Sequence, residues 1–312
     1  MDFRTLRYFV EIVEQGSMKR AAESLFVAQP ALSQQVKKLE DELGVKLLSR
    51  SVRGVVPTEA GRELLARARL ILDQVNDARQ VIQAGSRDPQ GSVVLGLPSS
   101  ISAVLSVPLV VRMQEALPKV ALRVVEGTSG YVLDWLRTGQ LDLCVLHGVQ
   151  RDPGITTTPL FTEELFLIES ARARRRRRAV RFAELAGMDL ILPGRHHGLR
   201  AMLDRLALEH GVTLAPKVEI DAFVQMKTLA SLGVGNTVLS RAAVADELAR
   251  GELSATPIGH PKLERRMVLA RAGNRPVSNA VRATTALLME CVAQFDGQFW
   301  SVARDPGLAS SL

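Results

Sequence analysis

The chain holds five histidines and two cysteines, the residue types that most often carry nucleophilic or soft-metal chemistry. Their spacing supports neither. His196 and His197 are adjacent, so their side chains point apart, and His147, His210 and His260 are too scattered to complete a ligand set with them. Cys144 lies in an apolar strand-like run and Cys291 in a helix-like run, with no CxxC spacing, so both are expected as inert core residues rather than as a disulfide. Gly233-Val234-Gly235 is a lone GxG, expected as a tight helix-to-strand turn, and no GxSxG or Walker motif occurs. The sequence thus predicts no catalytic residue, no metal and no cofactor, and an enzyme reading rests on fold analogy alone.

Residues suited to recognition are better organised. Pro30 stands where a first helical turn tolerates proline, and Leu32, Val36, Leu39 and Leu43 follow as an apolar stripe. That leaves Gln29, Pro30, Ser33, Gln34 and Lys37 toward solvent or toward a major groove. Glutamine can bond adenine bidentately, serine can reach base edges, and a proline ring can touch a thymine methyl. Spacing alone fits a merely solvated face equally well. Arg50 and Arg53 sit in a basic turn that suits phosphate or minor-groove contact, or simply keeps a hairpin soluble. A second set stands where strand-like runs give way to helices: Ser99, Ser100 and Ile101 after Val93 to Leu97, and Thr128 and Ser129 after Ala121 to Val125. Such helix starts suit a carboxylate or similar anion, although serine and threonine there are also ordinary N-caps. Glu126 opposes an anion if it points inward.

These residues need elements to hold them. Phe3, Leu6, Val10 and Val13 recur at helical spacing up to Gly16, and Ser17 can cap a second helix carrying Ala21, Ala22 and Leu25. With the helix after Pro30 this makes three short amphipathic helices. Past Gly44, the apolar pieces Val45 to Leu48 and Val55 to Val56 flank the basic turn as a small β-wing. Thr58 then offers an N-cap for a helix to about Ala84, in which Leu64, Ala68, Ile71, Val75, Ala78 and Ile82 form a heptad seam. A seam that long calls for a partner helix. Residues 85–91 have the breaker chemistry of a linker, and strand-like and helical runs alternate from Ser92 onward, with a second series from about Leu165. The alternation predicts βαβ units with a parallel sheet, arranged as two similar lobes. In open α/β sheets ligands bind beyond the carboxyl ends of strands. There His147 ends a third strand of the first lobe, and the other lobe can contribute His196 and Phe223.

The first sixty residues carry Ala21-Ala22, Leu25, Gln29-Pro30-Ala31-Leu32-Ser33, Leu39-Glu40, Leu43-Gly44, Leu47-Leu48, Arg50, Arg53, Thr58 and Ala60-Gly61. This run resembles the DNA-binding domain of LysR-type transcriptional regulators almost position for position. VAQPALSQQV, RGVVPTEAG and GQLD are similar to the nitrogen assimilation control branch of that family. The resemblance implies a winged helix-turn-helix over 1–58, a dimerising linker helix and hinge over 59–90, and a periplasmic-binding-protein-like α/β effector domain over 91–300. Its first lobe is expected at about 91–160 and 266–300, its second at about 161–265. It further implies promoter DNA contact through Gln29, Pro30, Ser33, Gln34, Lys37, Arg50 and Arg53. The effector cleft is implied to be lined by Ser99, Ser100, Ile101, Thr128, Ser129, His147, His196 and Phe223. Partners implied are double-stranded promoter DNA, a small-molecule effector and a second copy of the chain, with a tetramer and RNA polymerase as further candidates. Two departures bear on sequence preference: Ala28 replaces a common Ser or Thr cap, and Gln34 stands where many relatives carry Arg. Two alternatives stay open, an effector-independent regulator with a vestigial pocket, and a solute-binding α/β protein with a winged-helix docking module.

Bulk properties set the outer limits. At 312 residues, 46% hydrophobic and 23% charged, the chain can bury two or three cores and lacks the composition of a disordered one. No apolar run suits a membrane span and the N-terminus lacks signal-peptide order, so a cytoplasmic protein is expected. The net charge of +7 is not itself a nucleic-acid signal. Seven arginines between 171 and 182, namely Arg172, Arg174 to Arg178 and Arg181, equal the whole excess. That run is expected as a solvated, self-repelling loop.

Overall fold

The computed structural model describes residues 1–51, 54–83, 89–127, 129–148, 152–172, 178–273 and 277–303. The chain forms two compact units, Met1–Asp88 with Thr138–Gln140, and Pro89–Arg137 with Leu141–Leu312.

In the first unit, α1 (Phe3–Gln15) is started by Asp2, whose Oδ1 accepts from the Thr5 amide at 2.8 Å, and stopped by Gly16 at φ +60°. Ser17 caps α2 (Met18–Ser24), and α3 (Gln29–Leu43) opens with Pro30 in its first turn and ends at Gly44 at φ +70°. Tyr8, Ile12, Ala21, Ala22, Leu32 and Val36 pack the three helices together. The wing is the antiparallel pair β1 (Leu48–Ser51) and β2 (Gly54–Pro57). The first wing strand therefore begins at Leu48, not at Val45 as the apolar run suggested. Buried Glu40 explains the shift, because its Oε1 accepts from the amides of Leu47 and Leu48 at 2.9 and 3.2 Å while Oε2 takes Lys46 Nζ at 2.7 Å.

Thr58 starts α4 (Glu59–Gln83) by accepting from the Gly61 amide at 3.0 Å, and its hydroxyl donates to the Lys46 carbonyl at 2.6 Å. Half of the heptad seam is used within the chain. Ala68 is fully buried, and with Leu64 and Ile71 it packs on Leu6 and Val10 of α1. Farther along, Val75 is half-buried.

The second unit has two lobes. The first begins with β3 (Gly91–Leu97), α5 (Ser99–Ala116), β4 (Val120–Glu126), α6 (Ser129–Arg137) and β5 (Leu143–His147). β6 (Ile155–Ser170) then runs out of it into the second lobe. That lobe holds β7 (Val180–Arg181), β8 (Leu190–Leu192), α7 (Gly198–Glu209), β9 (Pro216–Glu219), α8 (Phe223–Ser231), β10 (Thr237–Ser240), α9 (Ala245–Ala249) and β11 (Leu253–Gly259). β12 (Glu264–Ala272) returns the chain to the first lobe, closed by α10 (Asn279–Ala293) and β13 (Trp300–Val302).

Among the described residues a nine-stranded sheet runs β4-β3-β5-β12-β6-β11-β7, with β10 and β13 also paired to β6. The expected parallel pairing is present among β3, β4 and β5, within a sheet that is mixed as a whole. β3 pairs in parallel with β4 and β5, but β12 is antiparallel to both β5 and β6. The chain crosses between lobes on strands running in opposite directions, which fixes that antiparallel pairing. Cys144 and Cys291 are buried free thiols.

Gly61 shows how tightly α4 meets the wing: a Cβ there would lie 2.0 Å from the Leu47 carbonyl oxygen. Gly61→Ala must push α4 from the Leu47 backbone that leads into β1, at a cost of roughly 2–4 kcal/mol. Urea denaturation of the full chain, followed by circular dichroism, should show an earlier first transition. An unmoved transition would mean that the contact yields freely.

Candidate functional site

One face of α3 is closed and the other open. Leu32, Val36, Leu39 and Glu40 are buried, whereas Gln29, Pro30, Gln34 and Lys37 are exposed and Ser33 is half-buried. The 3.6-residue period separates the two sets. Ala28 makes no side-chain cap, so the leading amides of α3 have no side-chain acceptor. The wing is pinned beside α1 by the Val55 amide, which donates to the Gly16 carbonyl at 2.9 Å. Gly54, at φ +120°, lies so close that a Cβ would come within 2.4 Å of that carbonyl oxygen. Arg50 pairs through its backbone with Val55, and Arg53 lies outside the described residues.

A different cluster forms in the second unit, where the lobes share strands. Ser99 is half-buried and Ser100 is buried at the start of α5, behind Pro98, which supplies no side-chain cap. Ile101 departs from its expected role: its side chain is in the first lobe's core and its amide donates to the Pro98 carbonyl at 2.9 Å. Thr128 lies outside the described residues, and Ser129 is the first residue of α6. His147 ends β5, half-buried. Burial first, and then the charges of Arg265 and Arg205, push its imidazole down to about 4.

From the second lobe, His196 is exposed, and its neighbour His197 is half-buried. His197 Nδ1 accepts from the Leu199 amide at 3.2 Å, capping α7, and burial followed by the charge of Arg265 lowers its titration against the opposing pull of Asp221. The loop before α7 is braced by buried Arg200, which reaches the Pro193 carbonyl and Glu219, and by Asp221, which accepts from the Gly194 amide at 2.9 Å. Phe223 starts α8 half-buried, with Lys227 Nζ 5.0 Å from its ring centroid.

Arg265, on β12, links Ser100, Glu163, His147 and His197. Its Nη2 donates to Ser100 Oγ at 3.5 Å and to Glu163 Oε1 on β6, the register partner across the strands. Arg265 and Glu163 were not picked out in the sequence, and His197 was weighed there only as a metal ligand. The available signal was a charge at an inward position of the alternating runs Phe161-Thr162-Glu163-Glu164-Leu165 and Leu263-Glu264-Arg265-Arg266-Met267. Among the described residues no group of three or more His, Cys, Asp or Glu could hold a metal ion, and no helix is long and apolar enough to cross a membrane.

A winged helix with an open recognition helix, followed by two lobes hinged on shared strands, is the build of a DNA-binding regulator with a ligand-receiving domain. The bacterial regulatory helix-turn-helix family of LysR type matches residues 3–62, and the LysR substrate binding domain matches residues 86–292. The nitrogen assimilation regulatory protein nac of Klebsiella aerogenes is 32% identical over 94% of this chain and 96% of its own length. The hydrogen peroxide-inducible genes activator of Escherichia coli O157:H7 is 29% identical over 97% and 99%. A full-length OxyR variant from Pseudomonas aeruginosa superposes with a TM-score of 0.76 at 28% identity, covering 94% of each chain. The chain belongs to the LysR family of DNA-binding transcriptional regulators, and nac among its relatives agrees with the branch resemblance.

The lowered His147 has a consequence for stability. Between about 4 and its ordinary 6.5 the unfolded chain binds a proton that the folded chain refuses. The stability conferred by the neutral ring is therefore present above pH 6.5 and lost as pH falls toward 4. After discounting for partial exposure, roughly 1–2 kcal/mol should be lost between pH 7 and pH 5. Urea midpoints at the two pH values should converge in His147→Gln; an equal drop in wild type and variant would assign the loss to other groups.

Proposed function

We propose that this regulator reads a two-half-site promoter as a dimer, and that a small molecule held between its lobes changes how it sits on that DNA. The observation that carries the DNA reading is the division of α3, with every apolar stripe residue up to Leu39 buried and Gln29, Pro30, Gln34 and Lys37 exposed. Gln29 and Ser33 then read base edges, while Lys37 and wing residues Arg50 and Arg53 hold phosphate. The effector is taken between Ser99, Ser100, Thr128, Ser129 and His147 of one lobe and His196 and Phe223 of the other. It acts by binding unequally to two states of the protein, without catalysis, in the cytoplasm.

The dimer reading draws on α4 beyond its packing on α1, where Val75 and Ala78 continue the stripe toward a second copy. Val107, Val110 and Val111 leave an exposed apolar face on α5, which suits further association into a tetramer. RNA polymerase is a candidate partner at the promoter. Sensing of peroxide by a thiol, suggested by the names of some relatives, is disfavoured. Both cysteines are buried, and burial pushes the Cys144 thiol up to about 12, leaving no reactive thiolate there.

Base reading has a direct test. Gln29→Ala should cost roughly 1–3 kcal/mol on the specific operator and little on random DNA of equal length. Fluorescence anisotropy showing equal losses on both would remove Gln29 from readout. Assembly is tested by Val75→Asp, which sets an uncompensated charge in the proposed interface. Sedimentation should show dissociated or misassembled protein, and an unchanged profile would place the interface elsewhere.

A further inference from the structure

The two strands that cross between the lobes carry one layer that does not belong to a core. Phe161 on β6 and Met267 on β12 lie in the first lobe's core, and Leu165 and Leu263 lie in the second's. Between them, on the same alternating face, stand Glu163, fully buried, and Arg265, 5% exposed. Apolar residues in place of such a pair are often neutral or stabilising, so folding alone does not call for it.

The pair is also incompletely used. Arg265 spends Nη2 on Glu163 Oε1 and Ser100 Oγ, while its own Nε and Glu163 Oε2, both buried, have no partner. A buried donor and a buried acceptor left unpaired are unfavourable. They lie beside the start of α5, whose N-cap is Pro98 and whose leading amides have no side-chain acceptor. One side of this cluster offers N–H and O–H donors, and the other offers a carboxylate oxygen.

Charge balance narrows what fits. Arg265 and Glu163 cancel within the pair. The imidazoles of His147 and His197 are held neutral at pH 7. A dicarboxylate or phosphate brings net negative charge next to Glu163, whereas a zwitterion brings none. We propose that the effector is an amino-acid-like zwitterion, its carboxylate taken by Arg265, Ser100 and the amides that open α5, and its ammonium by Glu163. This rests on the cleft reading above and replaces the simple anion that the helix starts suggested. Glu163 is then the discriminating residue, rewarding an ammonium and repelling a ligand that lacks one.

The test is isothermal titration of the full-length protein with the common L-amino acids. Each amino acid that binds is followed by its α-hydroxy acid, in which hydroxyl replaces ammonium. Succinate, glutarate and inorganic phosphate serve as comparison. At least one amino acid should bind, its hydroxy acid about tenfold more weakly or worse. E163Q should shrink that difference to about threefold or less, with circular dichroism showing the variant folded. If E163Q does not fold, the wild-type comparison alone decides. Equal binding of amino acid and hydroxy acid, or binding only of succinate, glutarate or phosphate, overturns the zwitterion and leaves a ligand cleft standing. Amino-acid binding that S100A and R265M leave unchanged overturns the cleft itself. No binding by any of these compounds overturns the proposal.

Discussion

β6 and β12 belong to both lobes at once, and the second unit is organised by that sharing. Their antiparallel register sets Glu163 opposite Arg265 where the strands leave one core for the other. A lobe-to-lobe motion must be taken up near that layer, because the cores on either side are close-packed and resist deformation. The same layer reaches Ser100 on α5, so a change at Arg265 is felt directly by the first helix of the first lobe.

The first unit works by a more local logic. Each helix is started or stopped by a recognisable device: Asp2 and Ser17 as caps, Gly16 and Gly44 as left-handed stops, Thr58 as the cap of α4. α1 lies under everything else, packing against α2 and α3 through Tyr8 and Ile12 and against α4 through Leu6 and Val10. With its inner face committed to Ala21, Ala22 and α1, α3 can leave its outer face polar at no cost in packing. Buried Glu40 then ties the end of α3 to the wing through Leu47, Leu48 and Lys46. Against the cost of burial, Lys46 and the backbone donors around that carboxylate hold it below the usual range.

Electrostatics in this molecule is local as well. The +7 excess equals the Arg172 to Arg181 cluster, of which Arg178 is exposed and Arg174 to Arg177 lie outside the described residues. α3 instead sorts its polar side chains onto one open face, and in the second unit Arg265 and Glu163 pair within the buried layer between the lobes. In each case the arrangement of charges matters more than their sum.

How much of this the sequence held differs between the two units. The helix-turn-helix was legible because helical period, caps and glycine stops act within a few residues: Pro30, Leu32, Val36 and Gly44 define α3 and its open face without reference to distant chain. The start of the wing was misjudged because Glu40, several residues away, occupies the amides that an apolar run had suggested for a strand. The heptad stripe was visible, but its first half's partner, α1, was a matter of tertiary packing. In the second unit the sequence supplied the alternation of strands and helices and the hydroxyl-bearing starts of α5 and α6. The tertiary structure alone brought Glu163 and Arg265 together, separated by the whole second lobe, set them beside Ser100 and made His197 rather than His196 the cap of α7. Contacts between residues that far apart depend on sheet register and strand direction, which no local pattern encodes.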